Sequence, residues 1–417
     1  MAIYKSLVKK VSIAPEKKTK QKDYLPKGAL PIIDQGQQLI GGYANDDNRQ
    51  VSCNLPVIVF GDHTRAVKYV DFPFGAGADG IKVLEPVEGI YPKFLYYATQ
   101  YLVLRLEDRG YARHYQYIEK KELEVPSVPE QKRIVARIEE LFSELDNGVE
   151  TLQKTKQQLT VYRQAVLKDA YEGVFTQEWR TKHPENIAQD IWADVCEQKK
   201  KYKNLKAYEL EEQIQLSSLP DAWMWVNIGD ISRGPEYGTS QKSLEKGKVP
   251  VVRMGNLQKG IIDWTDLVFS NDDSEIAKYH LAPGDVLFNR TNSPELVGKT
   301  SIYRGEREAI FAGYLIRINQ FACINAEYLT YYMNSFTAKH YGNKVKTDGV
   351  NQSNINGKKL CSYPFPLCSQ EEQAQVVHEL ESRLSVCDSI EKTVDTALQQ
   401  AEAMRQSILK QAFEGRL

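Results

Sequence analysis

Two short segments contain the residue types of nucleotide-binding loops. Residues 74–80 (FGAGADG) place three glycines in a G-x-G-x-x-G spacing, and residues 298–300 (GKT) end like a phosphate loop. A dinucleotide loop must lead into a helix whose N-terminus faces the pyrophosphate, but residues 81–86 (IKVLEP) have the pattern of a strand. In the second segment Ser293 stands where a phosphate loop requires its first glycine. We therefore predict a glycine-rich strand connection and a turn before a strand, with Lys299 still available to a DNA phosphate.

The histidines and cysteines form no recognisable catalytic or metal-binding pattern. The six histidines and six cysteines occur without an H-E-x-x-H, C-x-x-C or G-x-S-x-G motif. The sequence also lacks the Asn/Asp-Pro-Pro-aromatic segment that amino-methyltransferases place around a target nitrogen. We therefore expect a binding or scaffolding protein and not an enzyme, with no cofactor or metal bound by this chain.

Length and composition favour a soluble protein of at least two domains. The 417 residues exceed what one hydrophobic core usually organises, and 42% apolar with 26% charged residues is an ordinary globular composition. No run approaches the roughly 18 consecutive apolar residues of a membrane span, and the N-terminus lacks a secretory h-region. We expect a cytoplasmic location, reduced cysteines and no membrane partner. Because the formal net charge is −1, any nucleic-acid surface must come from local clusters of charge.

Polar, basic and aromatic residues in loops provide the candidate contacts to DNA. Residues 1–22 contain seven lysines and one acid, a composition typical of a phosphate-binding arm but also of an ordinary solvated tail. Arg and Asn side chains make bidentate hydrogen bonds to guanine and adenine edges in the major groove, although the same residues fill ordinary turns. In the first half of the chain the candidates are Lys17, Lys18, Lys20, Gln35, Gln37, His63, Thr64, Arg65, Lys68, Arg113, His114 and Gln116. In the second half they are Arg253, Asn256, Asn289, Arg290, Thr291, Asn292, Lys299, Lys344, Lys346, Asn351 and Gln352.

The elements that must position these loops follow from an internal repeat. Residues 130–175 align without a gap on residues 372–417, with 16 identities over 46 positions. The identical pairs include Glu130/Glu372, Gln131/Gln373, Asp146/Asp388, Arg163/Arg405 and Gly173/Gly415. Such agreement predicts two copies of one structural element.

Each copy has the periodicity of a long amphipathic helix. Apolar residues recur at steps of three and four, neither copy contains proline, and each ends with Glu-Gly, a usual helix stop. At 1.5 Å per residue each helix would be about 65–70 Å long, beyond the reach of one globular core. A narrow apolar stripe of that length is best covered by a second one, so we predict that the two helices pair as a coiled coil. The residues predicted to pair are Ile134, Ile138, Leu141, Leu145, Leu152, Leu159, Val377, Leu380, Leu384, Ile390, Val394, Leu398 and Ile408.

Weaker similarities precede both helices and extend the repeat over the whole chain. Residues 55–70 resemble 284–303, residues 94–102 resemble 328–336, and residues 29–36 resemble 249–256. Short strand-like runs bounded by Gly, Asp and Asn turns, with one helical stretch in each half, predict the α+β class with two α/β domains. The predicted parts are 1–128 for the first domain, 129–175 for the central long helix, 176–218 for a partly helical connector, 219–368 for the second domain and 369–417 for the C-terminal long helix.

This layout resembles the specificity subunit of Type I restriction–modification systems. The residues that carry the resemblance are VPSVPEQKRIVARIEELF with YRQAVLKDAYEGVF, and PFPLCSQEEQAQVVHEL with MRQSILKQAFEGRL. The resemblance implies two target-recognition domains, up to about residue 125 and at about 219–365, that each read one half of a bipartite, asymmetric DNA target. It also implies that the long helices lie antiparallel, relate the domains by a pseudo-two-fold axis and set their spacing.

The same resemblance implies a non-catalytic subunit that works through partners. Members of this family bind double-stranded DNA and dock two modification subunits, which bring S-adenosylmethionine and methylate adenine at N6. Two restriction/translocase subunits that use ATP with Mg also join. A chain of net charge −1 would bind DNA poorly alone, so DNA affinity shared with such partners is physically reasonable. The alternative that the residues leave open is a stand-alone sequence-specific DNA-binding or scaffold protein without enzyme partners.

Overall fold

The computed structural model divides the chain into two compact units. Unit 1 comprises Met1–Thr155 and Thr393–Leu417, and unit 2 comprises Lys156–Lys392. The structure describes residues 1–78, 80–107, 110, 112–202, 216–350 and 352–417. Both units mix helices and sheets, as the sequence predicts. Each unit contains a part of both long helices, which differs from the domain division predicted from the sequence.

Unit 1 is built on two four-stranded sheets. Its strands are β1 (Ala2–Ile3), β2 (Val8–Val11), β3 (Lys18–Thr19), β4 (Leu30–Ile33), β5 (Gly42–Ala44), β6 (Val57–Gly61), β7 (Val67–Val70), β8 (Gly75–Gly77), β9 (Ile81–Pro86) and β10 (Glu122–Leu123). Its helices are α1 (Pro92–Leu104) and α2 (Tyr115–Ile118), together with the first part of α3 (Val128–Tyr171) and the last part of α10 (Gln370–Phe413). The sheets have the strand orders β2-β9-β6-β7, which is antiparallel, and β3-β8-β4-β5, which is mixed, while β1 pairs with β10.

The strand β6 lies between two apolar layers. Ile58 and Phe60 pack in one buried cluster with Phe94 of α1, while Val57 and Val59 pack in another with Ile33 of β4. Successive residues of a strand point to opposite faces, so a strand covered on both faces needs the continuous apolar run that this one has. The end of β6 is therefore held rigidly from both sides.

Unit 2 contains fourteen strands and six complete helices among its described residues. The strands are β11 (Met224–Asn227), β12 (Ser232–Tyr237), β13 (Val249–Val252), β14 (Leu257–Gln258), β15 (Ile261–Ile262), β16 (Val268–Ser270), β17 (Val286–Asn289), β18 (Thr291–Asn292), β19 (Thr300–Ile302), β20 (Ile310–Phe311), β21 (Leu315–Gln320), β22 (Thr347–Asp348), β23 (Ser353–Asn354) and β24 (Pro364–Leu367). The helices are α4 (Gln177–Lys182), α5 (Ala188–Lys200), α6 (Asp273–Tyr279), α7 (Ala326–Met333), α8 (Phe336–Val345) and α9 (Gly357–Cys361).

The two units share one strand topology. The order β12-β21-β17-β19 in unit 2 corresponds to β2-β9-β6-β7 in unit 1, with every neighbouring pair antiparallel. The strand β13 pairs parallel with β20 and antiparallel with β16, as β4 does with β8 and β5. The weakly similar sequence segments thus occupy corresponding elements: β6 and β17, β4 and β13, α1 and α7.

Both long helices have 44 residues and end two residues before the predicted glycines. Gly173 and Gly415 adopt positive φ angles of 74° and 71°. This conformation lets the amide of the next residue bond back into the last helical turn, from Val174 N to Asp169 O and from Arg416 N to Gln411 O, both at 2.9 Å. The helices therefore end four residues before the predicted boundaries, at Tyr171 and Phe413.

The apolar stripe of the long helices packs against the adjacent domain as well as against the other helix. In unit 1, Ile138 of α3 shares a cluster with Phe94 of α1 and Ile408 of α10. In unit 2, Leu380 of α10 shares a cluster with Val166 of α3. Of the residues predicted to pair, Ile138, Leu159, Val377, Leu380, Val394 and Ile408 are buried, whereas Ile134, Leu141, Leu145, Leu152, Leu384 and Leu398 are half-buried.

Ion pairs between repeated positions link α3 with α10. In unit 2 the Arg163 guanidinium lies 2.7 Å from Asp388 Oδ1 and 2.9 Å from Glu391 Oε2. In unit 1 the repeated residues Arg405 and Asp146 make the reciprocal pair. The paired positions advance along α3, from Asp146 to Arg163, while they go back along α10, from Arg405 to Asp388. This is expected for helices that run in opposite directions. Because Glu391 takes the inward position, the neighbouring Ile390 is 40% exposed, and its prediction as a pairing residue is wrong.

The repeated glutamines attach the start of each long helix to the domain before it. Gln131 is fully buried, accepts the Tyr91 amide at 2.7 Å and donates to Gly89 O at 3.0 Å. Gln373 is equally buried, accepts the Asn325 amide at 2.8 Å and donates to a backbone carbonyl at 3.0 Å. Each glutamine thereby caps the N-terminal turn of the helix that follows the main sheet, α1 or α7.

Part of the predicted connector is a packed helix. Ala188, Ile191 and Val195 of α5 are buried in the main core of unit 2. Their three- and four-residue spacing is the sequence signal for one apolar helix face. Residues 203–215 of the connector lie outside the described residues.

Candidate nucleic-acid interface

In unit 1 the loops that follow β4 and β6 meet the loop that precedes α2. Thr64 Oγ1 donates to the carbonyl oxygen of Gln35, and His63 Nδ1 lies 3.2 Å from Ala112 O. The His114 amide donates to Asp62 O at 2.8 Å. Residues that the sequence predicts as DNA contacts in three separate segments are thus brought together at one end of the sheets.

Asp62 holds these loops in place. Its side chain is 4% exposed, lies 3.2 Å from Lys82 Nζ and accepts the Tyr115 amide at 2.9 Å. Burial, with added repulsion from Glu119 and Asp62, raises the pKa of the Tyr115 hydroxyl to about 12. Asp62 is not among the DNA contacts predicted from the sequence, and its role as an anchor was not predicted either.

A polar cleft of about 800 Å³ opens beside these loops. Lys18, Lys20 and Lys22 line it together with Tyr24 and Gln35. The Gln35 Oε1 atom is buried and has no hydrogen-bond partner among the described residues. Burial, together with the nearby Asp34 carboxylate, raises the pKa of Tyr24 to about 12, so its hydroxyl stays protonated and able to donate. Three cations beside amide and hydroxyl groups match the chemistry of phosphate and base edges.

In unit 2 the loop that follows β17 pairs with the loop that precedes α9. The short strands β18 and β23 place Thr291 opposite Asn354 and Asn292 opposite Ser353. The Asn354 Nδ2 atom donates to Thr291 Oγ1 at 2.7 Å. Lys346 Nζ donates to Pro294 O at 3.2 Å. In the order of strands and helices, these loops correspond to residues 62–66 and 112–114 of unit 1.

Arg290 is the first residue after β17, and its side chain lies on an aromatic ring. The guanidinium carbon is 4.9 Å from the ring centroid of Tyr237, at the end of β12. The Nε atom of Arg290 is buried without a partner among the described residues. Tyr237 was not predicted as part of the site, because it lies on another strand and its sequence surroundings have no distinctive spacing.

Two candidates of unit 1 are buried and have structural roles. Lys68 is 5% exposed, and its Nζ donates to Asp34 O at 2.8 Å; burial lowers the pKa of this amine, although Asp34 acts in the opposite direction. His114 is 1% exposed and accepts a hydrogen bond from Arg65 Nε at 3.3 Å. Their prediction as direct DNA contacts is therefore corrected, because neither side chain reaches the surface.

Two candidates of unit 2 are also buried. Asn256 is 3% exposed, and its Nδ2 donates to the carbonyl oxygens of Asp263 and Asp266, both at 2.9 Å. Asn289 is fully buried, and its side-chain amide has no hydrogen-bond partner among the described residues. Arg253 is half-buried but already paired, with Nη2 2.9 Å from Asp266 Oδ2. The prediction of DNA contact is therefore corrected for Asn256 and Asn289.

The remaining candidates are accessible to different degrees. Lys20, Gln37, Thr64, Arg113, Gln116, Lys344 and Gln352 are exposed, and Lys17, Lys18, Gln35, His63, Arg65, Thr291, Asn292, Lys299 and Lys346 are half-buried. Gln37 lines a separate cleft with Lys93, and Lys299 donates to Gln258 Oε1 at 3.2 Å. Asn351 lies outside the described residues.

Of the two glycine-containing motifs, one forms a strand and the other forms a turn before a strand. Gly75–Gly77 forms β8, and a Cβ atom at Gly75 would lie only 2.6 Å from Ile32 Cδ1 of the neighbouring strand. Gly298, with a φ of 90°, forms the turn that leads into β19. The turn predicted before β19 is confirmed, whereas residues 75–77, predicted as a strand connection, form a short strand whose Gly75 packs closely against the neighbouring strand.

Neither a metal centre nor a membrane span is found in the described part of the chain. Its His, Cys, Asp and Glu side chains form no group of three or more that could hold a metal ion. None of its helices has the length and apolar character needed to cross a bilayer.

Comparison with known proteins identifies a family. The profile described as Type I restriction modification DNA specificity domain matches twice, over residues 9–160 and 220–400. The Escherichia coli K12 protein named Type I restriction enzyme EcoKI specificity subunit is 28% identical over 299 residues, covering 70% of this chain and 57% of that protein. A Methanocaldococcus jannaschii protein, putative type I restriction enzyme MjaX specificity subunit, is 30% identical over 208 residues, covering 48% of each. The chain thus spans about half the length of these curated relatives.

A solved structure shares the fold of the whole chain. It comes from work described as the structural basis of complex assembly and conformational transition of the type I R-M system. The TM-score is 0.67 at 16% identity, and the match covers 100% of this chain and 97% of that one.

Proposed function

Because this chain belongs to the family of Type I restriction modification DNA specificity domains, we propose that it is a DNA sequence-specificity subunit that reads a bipartite, asymmetric target. One observation carries the proposal: each unit places the loop after a buried central strand against the loop that precedes a short helix, α2 in unit 1 and α9 in unit 2. In each case the paired loops carry cations, amides and hydroxyls, which are the groups that contact DNA phosphates and base edges. Each unit would read one half of the target.

The long helices α3 and α10 would pair as an antiparallel coiled coil and set the spacing of the two recognition domains. The reciprocal ion pairs Arg163–Asp388 and Arg405–Asp146 support this arrangement, since identical residues of the repeat exchange roles. The same exchange is expected of two halves related by a pseudo-two-fold axis.

The chain would act through partners in the cytoplasm and would not be an enzyme itself. We expect two modification subunits that bring S-adenosylmethionine and methylate adenine at N6, and two restriction subunits that use ATP with Mg. A net charge of −1 supports the need for partners, because the chain alone lacks the excess of cations that gives strong DNA binding. The relatives are named specificity subunits, which supports such a division of labour.

The proposal is tested by mapping N6-methyladenine in cells with and without this chain, co-expressed with its modification subunit. We expect one bipartite motif that disappears when the chain is absent. Inserting four residues within 152–159 of α3, matched by four within 392–399 of α10, adds about 6 Å of helix. The unspecified spacer of the motif should then lengthen by about two base pairs, since base pairs are 3.4 Å apart.

A control variant changes the surface of the same helical segment without changing its length. Replacing the exposed Lys154 and Gln157 with alanine should leave the spacer as it is. An unchanged spacer after the insertion would contradict the role of the helices, and the absence of any bipartite motif would contradict the function itself.

A further inference from the structure

Arg290 is held more firmly than a surface arginine usually is. Its amide donates to Tyr314 O at 3.1 Å and its carbonyl oxygen accepts the Ile355 amide at 2.9 Å, which fixes the backbone on both sides. Its guanidinium lies on the ring of Tyr237, and the hydroxyl of that ring accepts the Gly357 amide at 2.8 Å. Both the arginine and its aromatic platform are therefore positioned before any ligand binds.

The charge of Arg290 is not neutralised by the described residues of the protein. Arg304 and Arg317 of unit 2 are paired, by contrast: Arg304 with Glu327 at 2.9 Å, and Arg317 with Glu236 and Asp285, both at 2.7 Å. Arg290 has no ion pair in the described chain, and its Nε atom is buried without an acceptor there. The positive charge of a guanidinium without an ion pair favours an acceptor that arrives with a ligand.

The surroundings of Arg290 provide polar groups suited to base edges and cations suited to phosphates. Thr291, Asn292 and Asn354 lie in the small sheet next to it, and Lys346 borders the same loop. The carboxylate of Asp348 in this sheet accepts a hydrogen bond from the Ser353 hydroxyl and lies 3.8 Å from Lys346 Nζ. The site therefore combines one rigid, unpaired guanidinium with neutral hydrogen-bonding groups.

We propose that Arg290, stacked on Tyr237, reads a guanine in the half-target recognised by unit 2, with its planar fork donating to O6 and N7. This inference rests on the proposed function. A guanidinium presents two parallel donors that match the two acceptors on the major-groove edge of guanine. A phosphate needs no such fixed plane, and mobile lysines such as Lys346 meet that requirement equally well. Tyr237 acts as a positioning residue, because it holds the plane of the fork.

The experiment uses the complete complex with its modification subunits, and it measures base preference at every target position with a randomised DNA library. Arg290→Lys keeps the charge but removes the fork, so discrimination for one G·C pair should fall by about 5- to 150-fold. Tyr237→Leu should weaken the preference at the same pair, whereas Tyr237→Phe keeps the ring and should retain it.

The matched control is Arg307→Lys. Arg307 also lies on an aromatic ring, 5.2 Å from the centroid of Trp264. It follows β19, whose end pairs with the start of β17, so it lies at the opposite end of this sheet from Arg290. The control should change no position of the motif.

Each outcome decides between the possibilities. Relaxation of one G·C pair in one half-target, with the other half and the spacer unchanged, supports the inference. A uniform loss of affinity at all sequences assigns Arg290 to a phosphate and overturns it, as does an unchanged motif in the Arg290→Lys complex. If the unmodified complex selects no bipartite motif, the proposed function fails instead. Purification and melting of each complex separate these results from misfolding.

Discussion

Removing the carboxylate of Glu372 should destabilise unit 2 strongly. This side chain is fully buried at the start of α10, and its Oε1 accepts from Arg180 Nη1 and Thr176 Oγ1, both at 2.6 Å. The second terminal nitrogen of Arg180 donates at 2.6 Å to the carbonyl oxygen of Gly173, which terminates α3. Glu372 and Arg180 thus join the end of one long helix to the beginning of the other within unit 2.

The magnitude follows from the burial of both charges. In Glu372→Ala the Arg180 guanidinium, only 15% exposed, keeps its charge but loses its carboxylate partner. Removing one partner of a buried ion pair costs about 3–5 kcal/mol. With a urea dependence of about 2–3 kcal/mol per molar for a unit of this size, the unfolding midpoint should fall by about 1–2.5 M. Replacing both partners, as in Arg180→Met with Glu372→Leu, should recover most of the loss, because no unpaired charge remains.

Tryptophan fluorescence during urea unfolding reports this effect selectively. The five tryptophans are Trp179, Trp192, Trp223, Trp225 and Trp264, and all of them belong to unit 2. Trp223 also lies 5.7 Å from the Arg180 guanidinium carbon, so its emission should respond to the loss of the pair.

The internal repeat provides the control. Glu130 occupies the same position in the first copy, but its partner Arg133 is one turn away on the same exposed surface of α3. Glu130→Ala, followed by circular dichroism at 222 nm, should leave the urea midpoint unchanged. A loss below about 1 kcal/mol in Glu372→Ala would refute the reasoning, because a buried guanidinium without its partner cannot be that well tolerated.

Three further measurements test other contacts. Gln373→Ala leaves the Asn325 amide without its acceptor. The free energy of unfolding of unit 2, measured by tryptophan fluorescence in urea, should fall by about 1–3 kcal/mol. Asp146→Arg places two cations opposite each other across α3 and α10, and adding Arg405→Asp should restore the free energy of unfolding. A double-mutant cycle should give a coupling free energy of about 0.2–1 kcal/mol between the two positions, and zero coupling would contradict the pairing. Burial raises the pKa of the Tyr24 hydroxyl to about 12, above the ordinary tyrosine value of about 10, so its contribution to stability is complete below pH 10 and is lost as pH rises toward 12. Tyr24→Phe should therefore reduce the fall in urea midpoint of unit 1 between these pH values, and an unchanged pH slope would contradict that assignment.

The long helices were predictable because their signals are local. Apolar spacing, the absence of proline and a terminal glycine all act within a few residues, and they placed both helix ends to within four residues. The burial of Glu372 was not predictable, because it depends on Thr176 and Arg180, which are distant in sequence. The fact that Glu372 repeats Glu130 in the sequence therefore gave no information on whether the Glu372 side chain is buried. The exposure of Ile390 was missed because Cys387 and Glu391 take the inward positions around it.

The location of the candidate site was more predictable than its individual contacts. Polar segments after buried strands indicated the correct ends of β6 and β17, since a strand end fixes where its loop begins. Lys68 was nevertheless assigned to the surface, although strand alternation places it on the same face as the buried Val70. The alternation of buried and half-buried residues along β7 could therefore have predicted that Lys68 is buried. Asn289, the last residue of β17, is fully buried as well, and its polar side chain gave no sign of that burial in the sequence.

The corresponding residues Asp62 and Arg290 show why a shared topology does not give a shared specificity. Each is the first residue after the central strand of its sheet, yet Asp62 is buried against Lys82 and the Tyr115 amide, whereas Arg290 rests on Tyr237 without an acid partner in the described chain. In unit 1 the charge at this position organises the loop, and the cations that we propose contact DNA line the cleft, on Lys18 and its neighbours. In unit 2 the same position is free to contact the ligand. The two units share one topology but would read different half-targets. The residue after the central strand stabilises the loop in unit 1, whereas in unit 2 it would contact the DNA.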